Sequence, residues 1–184
     1  MKLNQLTPAI WTISHFLSPQ ECDELIYMSE LSGYEEAKVS FTSGAKIMKG
    51  LRNNERILFK DEVLAQKLWA KLETFCPTHL DNSQAIGLNE QFRFYKYEGG
   101  QRFKKHIDGR FKRNELEESR ITFMVYLNDQ YEGGKTSFDE ISISPQQGLA
   151  LCFIHELKHE GSPVTSGIKY VLRSDVMYRK IQEK

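Results

Sequence analysis

The chain has 184 residues, a length that suits one domain with a core large enough to form without disulfide bonds. Lysine plus arginine and aspartate plus glutamate number 25 each, and this zero net charge disfavours nucleic acid as a partner, because nucleic-acid-binding proteins usually carry a basic excess. Neither a signal peptide nor a membrane span is evident, so we expect a cytoplasmic protein with no membrane partner; its oligomeric state stays open.

The N-terminal part of the chain predicts a strand followed by a helix. Residues 9–16 have the apolar character of a strand. Ser18 is then expected as the N-cap of a helix, Pro19 as its first residue and Glu21 as the partner of Ser18 in a capping box. This helix should end near Gly33, because glycine commonly terminates helices.

A second helix is predicted after Asp61, because apolar residues recur at helical spacing from there until Pro77. Between the two helices, residues 34–60 mix β-like stretches with glycines and charges, and we interpret this segment as a flap over a substrate site. Residues 1–85 are thus expected to be helical support with a flap, within a single domain that spans residues 1–184.

The remainder, residues 86–180, is predicted to be the β core. Its apolar residues alternate along four β-like runs, and Gly-Gly pairs at 99–100 and 133–134 mark turns. The four runs are residues 92–97, 120–127, 149–154 and 169–178. Helices first and strands afterwards favour a mainly β fold, a sandwich or jelly roll with N-terminal helices packed on one sheet.

Three residues of the β core have the side chains of a metal site. His106 and Asp108 flank a single residue, so on a strand they would point to the same side, and His159 follows at the edge of a later β-like run. Two imidazoles and one carboxylate can occupy one face of an octahedral Fe(II) and leave positions for a co-substrate and dioxygen. The pattern therefore predicts a mononuclear iron site.

A rival interpretation arises from residues 155–159, His-Glu-Leu-Lys-His, which match the HExxH pattern of zinc proteases. That chemistry needs both histidines on one face of a helix. The apolar run 148–154 before the motif has the length of a strand, and Gly161 and Pro163 after it would end a helix. We therefore expect His155 at a strand end or in a loop, and a zinc metalloprotease stays a remote alternative.

Three segments of the β core resemble a known family, the prolyl-4-hydroxylase-like 2-oxoglutarate- and Fe(II)-dependent dioxygenases. In chain order they are similar to its first metal-ligand motif, its central strand and turn, and its second metal-ligand motif. The segments are residues 94–108 (FYKYEGGQRFKKHID), 122–138 (TFMVYLNDQYEGGKTSF) and 159–178 (HEGSPVTSGIKYVLRSDVMY). The resemblance implies a distorted double-stranded β-helix, a cupin-like jelly roll, with Fe(II) held by His106, Asp108 and His159.

The same resemblance implies which residues would hold 2-oxoglutarate. Lys169 matches the basic residue that pairs with the far carboxylate of this co-substrate. If residues 164–167 form a hairpin turn, His159 lies opposite about residue 172, and Lys169 is then roughly 10 Å of strand nearer the turn. Arg173 has the same strand parity as Lys169, so it is the second choice for the same role.

Three further residues are assigned by the resemblance. Tyr126 matches a tyrosine that hydrogen-bonds the far carboxylate, and Tyr97 matches one near the co-substrate. For Tyr97, an ordinary core aromatic with its hydroxyl satisfied elsewhere is an equally good interpretation. Arg120 resembles a position that can face the substrate, although a surface arginine is the plainer interpretation.

The resemblance implies an enzyme that hydroxylates an unactivated C–H bond, consumes 2-oxoglutarate and releases succinate and CO2, with ascorbate as a candidate reductant. It requires no catalytic side chain beyond the metal centre. A prolyl residue in a peptide or protein is the first choice of substrate, and a free amino acid or other small metabolite is the alternative, because fold does not determine substrate. A non-catalytic, cupin-like binding protein is a further alternative.

Overall fold

The computed structural model describes residues 1–37, 39–41, 44–46, 48 and 50–182, with only the backbone described at 39–41 and 44–46. Strands account for 46% of the residues and helices for 16%, so the fold is mainly β, as predicted. No helix in this described part of the chain is long and apolar enough to cross a bilayer.

The N-terminal part contains both α-helices found among the described residues. Strands β1 (Lys2–Thr7) and β2 (Ile10–Ser14) precede helix α1 (Pro19–Ser32). The strands β3 (Glu35–Glu36), β4 (Val39–Phe41), β5 (Gly44–Lys46) and β6 (Glu55–Lys60) follow. Helix α2 (Glu62–Leu72) continues into a 3-10 turn (Glu73–Phe75), after which come β7 (His79–Leu80) and β8 (Ser83–Leu88).

The C-terminal part consists of strands. They are β9 (Gln91–Tyr97), β10 (Phe103–His106), β11 (Glu117–Tyr126), β12 (Glu132–Gly133), β13 (Thr136–Ser137), β14 (Ser142–Ile143), β15 (Ala150–Ile154), β16 (His159–Gly161), β17 (Val164–Ser166) and β18 (Lys169–Lys180). All four predicted β-like runs are strands, and the Gly-Gly pair at 99–100 lies in the turn between β9 and β10.

The strands form two main layers. A ten-stranded main sheet has the order β1-β2-β15-β11-β18-β9-β6-β3, and β8 also pairs with β18 and carries β7. A four-stranded small sheet has the order β10-β16-β13-β14, and its pairs are antiparallel. The predicted double-stranded β-helix is confirmed. The N-terminal strands are part of its main sheet, which therefore crosses the boundary at residue 85.

The main sheet has one apolar core on each face. Alternation along β11 directs Phe123 and Val125 into a core with Leu68 and Leu72 of α2, so the helices cover this face, as predicted. The other face contributes Tyr126 to a second core that also contains residues of the small sheet. The candidate site described below lies between the two sheets, on this second face.

Both helices begin where the sequence predicts. The Ser18 hydroxyl accepts a hydrogen bond from the Glu21 N–H (3.1 Å), and the Glu21 carboxylate accepts one from the Ser18 N–H (2.9 Å), which completes the capping box. The Asp61 carboxylate caps α2 by accepting from the Leu64 N–H (2.9 Å). Helix α1 ends at Gly33, whose φ of 75° suits glycine.

The predicted hairpin at residues 164–167 is wrong. Strand β17 pairs with β12 instead of β18, and His159 lies opposite His106 instead of residue 172. The chain leaves the small sheet after β16, passes through β17 and enters the main sheet as β18. Lys169, the first residue of β18, lies opposite Tyr97 of β9.

The predicted flap at residues 34–60 falls partly outside the described residues, which omit 38, 42, 43, 47 and 49. Its C-terminal part is β6, which pairs along its whole length with β9 of the main sheet. Residues 55–60 are therefore a paired strand and no part of a flap. For the segment before them the flap stays a prediction.

Candidate metal centre

The pairing of β10 with β16 brings the two histidines of the predicted metal site together. His106 and His159 are direct partners in this antiparallel pair, and their ring centroids are 4.3 Å apart. Asp108 follows β10, and its carboxylate oxygens lie 3.6 Å from the Nε2 atoms of His106 and His159. One potential ligand atom from each residue lies within 4.8 Å of the other two.

Backbone carbonyls orient both imidazoles. The carbonyl of Lys104 lies 2.7 Å from His106 Nδ1, and that of Leu157 lies 3.0 Å from His159 Nδ1. A carbonyl only accepts, so both Nδ1 atoms donate; in the neutral imidazole, Nε2 then keeps a free lone pair, as in many protein metal sites. Burial lowers the pKa of His159 to about 4, which keeps its imidazole neutral.

The carboxylate of Asp108 is ionised and held from two sides. The Thr122 hydroxyl donates to its Oδ2 (2.6 Å), and Arg173 forms an ion pair with the same oxygen (3.0 Å). Burial by itself would raise the pKa of Asp108, but Arg173 and the two histidines outweigh it, so this pKa lies well below its usual range. The carboxylate is therefore ionised at any physiological pH and could serve as an anionic ligand.

These three side chains fit a divalent metal. Adjacent ligands at about 2.1 Å from an octahedral ion lie about 3 Å apart, so a small closure of the observed 3.6 Å separations would suffice. Two neutral imidazoles and one carboxylate form the donor set that non-heme Fe(II) oxygenases use. His106, Asp108 and His159 could hold Fe(II) in this way.

The zinc-protease interpretation is wrong, because residues 155–158 form a turn and His159 begins a strand. His155 follows β15 directly, as predicted for a strand-end histidine. Its Nδ1 lies 2.8 Å from the Thr122 hydroxyl and its Nε2 lies 2.9 Å from the Ser119 hydroxyl. The single Thr122 proton is donated to Asp108, so His155 donates through Nδ1 and accepts through Nε2. His155 thus orients the Asp108 carboxylate indirectly, through the Thr122 hydroxyl.

A cavity extends from the metal centre into the space between the sheets, and Lys169 lies in its wall. The same cavity is lined by Tyr97, Thr136 and Val171, and by His106, Asp108 and His159. Lys169 is 3% exposed, and its Nζ donates to the Gly134 carbonyl (2.5 Å). It has no carboxylate partner among the described residues, and burial lowers its pKa to about 7. An uncompensated buried cation of this kind suits an anionic ligand.

The other residues predicted to bind the co-substrate lie at different places. The Lys169 Nζ is 5.3 Å from the ring centroids of both Tyr97 and Tyr126. Tyr97 lines the cavity. Tyr126 is not among its lining residues, but the Tyr126 hydroxyl donates to the hydroxyl of Thr136, which lines it (2.7 Å). Arg173 lines the same cavity as Lys169, but its guanidinium forms an ion pair with Asp108, whereas Lys169 has no carboxylate partner among the described residues.

Arg120, the candidate substrate residue, lies outside the cavities at the metal centre. Its guanidinium donates to the Asp81 carboxylate (2.5 Å), and its position on β11 coincides with a register shift between Ser119 and Ile121. The Arg120 side chain is only 13% exposed, so it is a partly buried, ion-paired arginine instead of a surface one, and its role towards a substrate stays a prediction.

Two residues near the metal centre were not predicted. Thr122 has the same strand parity as Tyr126, so alternation along β11 could have placed it on the inner face. Arg52 precedes β6, and its guanidinium lies over the rings of Tyr95 (4.4 Å) and Phe103 (4.5 Å). No local pattern around Arg52 indicates this position, because it depends on how distant segments meet.

The comparisons with known proteins agree with this site and fold. Residues 91–174 match the model of a family described as the 2OG-Fe(II) oxygenase superfamily. No curated protein matches the chain. Residues 91–174 are therefore similar to the 2OG-Fe(II) oxygenases, and the resemblance found in the sequence is confirmed.

Solved structures of prolyl hydroxylases share the fold. The viral collagen prolyl hydroxylase of Paramecium Bursaria Chlorella virus-1, in complex with 2OG, is 23% identical with a TM-score of 0.65, and the match covers 93% of this chain and 96% of that one. A Pseudomonas putida prolyl-4-hydroxylase is 15% identical with a TM-score of 0.65, and the match covers 95% of this chain and 94% of that one. A Trichoplax adhaerens prolyl hydroxylase, in complex with a hypoxia inducible factor peptide fragment, is 20% identical, with a TM-score of 0.72 and coverages of 92% and 84%.

Proposed function

We propose that this protein is a single-domain 2-oxoglutarate- and Fe(II)-dependent dioxygenase that hydroxylates an unactivated C–H bond and releases succinate and CO2. The observation that carries the proposal is the convergence of His106, Asp108 and His159 on a cavity whose wall also contains the buried Lys169. The bound iron would supply the oxidative chemistry through dioxygen and the co-substrate. The protein side chains bind and orient the reactants.

Each side chain has a definite task in this proposal. His106, His159 and Asp108 hold the iron, and the backbone carbonyls and Thr122 keep their ligand atoms directed at it. Lys169 pairs with the far carboxylate of 2-oxoglutarate, and this pairing restores the proton that burial disfavours. The apolar walls around the cavity, among them Val171, exclude water from the reactants.

A prolyl residue of a peptide is the first choice of substrate. This choice is supported by the shared fold with prolyl hydroxylases, one of which is bound to a peptide in its structure. A free amino acid or other small metabolite is the alternative, because many substrates are used on one fold.

The test is an assay of succinate formation with Fe(II), 2-oxoglutarate and ascorbate as the reductant, in the presence of proline-containing peptides or free amino acids. We expect turnover that rises with a substrate of one of these two classes and that is lost in His106→Ala. The His79→Ala variant is the matched control, because His79 is exposed and lies outside the metal centre. An iron–oxoglutarate chelate without turnover would indicate the non-catalytic binding protein, and absence of both would contradict the proposal.

A further inference from the structure

A second cavity, the arginine cleft, adjoins the metal centre. It has a volume of about 290 Å³ and shares His106 and Asp108 with the cavity that contains Lys169. Among the residues that the structure describes, its wall contains one carboxylate, Asp108, and five arginines: Arg52, Arg56, Arg93, Arg110 and Arg173. This volume is near the lower limit of ligand sites, roughly 300 Å³, so the cleft suits a small chemical group.

Strand pairing accounts for the concentration of positive charge. Arg93 of β9 lies directly opposite Arg173 of β18, and like charges in such a position destabilise a sheet. Asp175 offsets this repulsion, because its carboxylate pairs with both Arg93 (2.9 Å) and Arg173 (3.1 Å). Arg56 of β6 lies opposite Tyr95 and extends the same basic surface. Arg110 forms ion pairs with Glu118 and Glu156, and Asp108 and Asp175 pair with Arg173 and Arg93, so these acidic groups account for three of the five arginines.

Arg52 and Arg56 are the guanidinium groups left without a carboxylate among the residues that the structure describes. Arg52 is 4% exposed; its Nε donates to Asn54 (2.6 Å), but its Nη2 has no hydrogen-bond partner. Arg56 is half-buried, and its burial lowers its pKa. The buried Tyr95 hydroxyl beside them also has no partner. Unsatisfied buried polar groups are costly, so several of them around one cleft indicate a ligand that satisfies them.

We infer that the arginine cleft binds the substrate through a carboxylate group, held by Arg52 and Arg56 while the metal centre acts on a nearby carbon. This inference rests on the proposed function and specifies its substrate class. A planar guanidinium matches the two oxygens of a carboxylate, and a buried guanidinium gives the charge-assisted bonds that this recognition needs.

The cleft also limits where hydroxylation occurs. Arg52 lies over the ring of Phe103, and that ring stacks on His106 with centroids 3.4 Å apart. A single aromatic ring thus separates the carboxylate anchor from a proposed iron ligand. The hydroxylated carbon is therefore expected within a few bonds of the carboxylate, as in a free amino acid, a C-terminal residue or a residue next to an acidic side chain.

The experiment measures binding by calorimetry, with protein loaded anaerobically with Fe(II) and 2-oxoglutarate. The carboxylate probes are L-proline, N-acetyl-L-proline and N-acetyl-L-prolyl-L-glutamic acid α-amide, whose side-chain carboxylate is free; they represent the three sources. N-acetyl-L-prolinamide is the neutral probe and inorganic phosphate the other anion. We expect at least one carboxylate probe to bind tenfold or more tightly than the neutral probe, and Arg56→Gln to remove this preference without affecting the oxoglutarate chelate.

Arg56→Gln is preferred to a truncation of Arg52, which is packed between two rings; Arg52→Lys keeps the charge and serves as a second variant. Arg179→Gln is the control, because Arg179 is exposed and lies outside the cleft. Equal binding of the neutral probe, tighter binding of phosphate, unchanged binding in Arg56→Gln, or no binding of any carboxylate probe would overturn the inference. If the chelate does not form, the proposed function fails, and an Arg56-dependent carboxylate preference in the metal-free protein would still support the cleft.

Discussion

Replacing the buried Lys169 by methionine should abolish binding of 2-oxoglutarate and yet stabilise the protein. Methionine has a similar length and no charge, so it fills the same space without requiring an anion. Burial lowers the pKa of Lys169 from its usual 10.5 to about 7. At about 1.4 kcal/mol for each pH unit, keeping this ammonium group charged costs on the order of 5 kcal/mol in the protein without its ligand.

The stabilisation should depend on pH with a definite sign. Below pH 7 the folded and unfolded chains both hold the proton on Lys169, and the full cost of burying the charge applies. Between pH 7 and 10.5 the folded chain releases this proton while the unfolded chain keeps it, so the stability of the wild type rises with pH. After subtraction of about 1 kcal/mol for the lost hydrogen bond to Gly134, we expect Lys169→Met to be more stable by about 4 kcal/mol at pH 6 and about 1 kcal/mol at pH 9.

Urea unfolding of both proteins at pH 6 and pH 9 measures these differences, and anaerobic titration of the iron chelate measures oxoglutarate affinity. Lys135→Met is the control, because Lys135 is exposed on the neighbouring turn and its replacement should change stability by less than about 0.5 kcal/mol. If Lys169→Met were less stable than the wild type at both pH values, burial of an uncompensated charge would be refuted. If the variant kept its oxoglutarate affinity, Lys169 would not be the anchor.

Three further predictions concern the metal centre and strand β12. Asp108→Ala should lose metal binding, measured with Mn(II). It should also destabilise the fold by about 1–3 kcal/mol, because the buried Arg173 loses one of its two carboxylate partners and keeps only Asp175; Asp108→Asn should lose less stability. Thr122→Val should weaken metal affinity by roughly 10- to 100-fold, since it removes the hydrogen bond that orients Asp108, and unchanged affinity in a dialysis titration would contradict this role. Gly133→Ala should lower the free energy of unfolding by on the order of 2–3 kcal/mol in urea or thermal unfolding, because φ at Gly133 is 77° and the added Cβ would lie 2.3 Å from the Pro163 carbonyl oxygen. The same change at Gly99, where the space is open, should leave the free energy of unfolding nearly unchanged.

The sequence correctly predicted the helix start and the strands that depend on neighbouring residues alone. The capping box of Ser18 and Glu21 requires only neighbouring residues, and it forms as predicted. The four β-like runs of the core followed from alternation and are strands. The predicted metal residues meet because His106 and His159 end and begin short strands that pair with each other.

The sequence did not predict features in which a residue's position depends on how distant segments of the chain pair. A hairpin turn at residues 164–167 would pair the strand of His159 with β18, but β17 pairs with β12, whose two residues carry no recognisable strand pattern. The arginine cleft was missed for the same reason. Arg56, Arg93 and Arg173 are far apart in the chain, and only the lateral order β6-β9-β18 places them side by side.

The ion pair between Arg173 and Asp108 has a consequence for how the protein would acquire iron. In many small metalloproteins the ligands repel one another until the ion arrives, so folding must wait for the metal. Here a guanidinium already neutralises the carboxylate, and backbone carbonyls already orient both imidazoles. Charge repulsion within this ligand set therefore does not oppose folding, and the fold does not depend on a metal ion to neutralise Asp108.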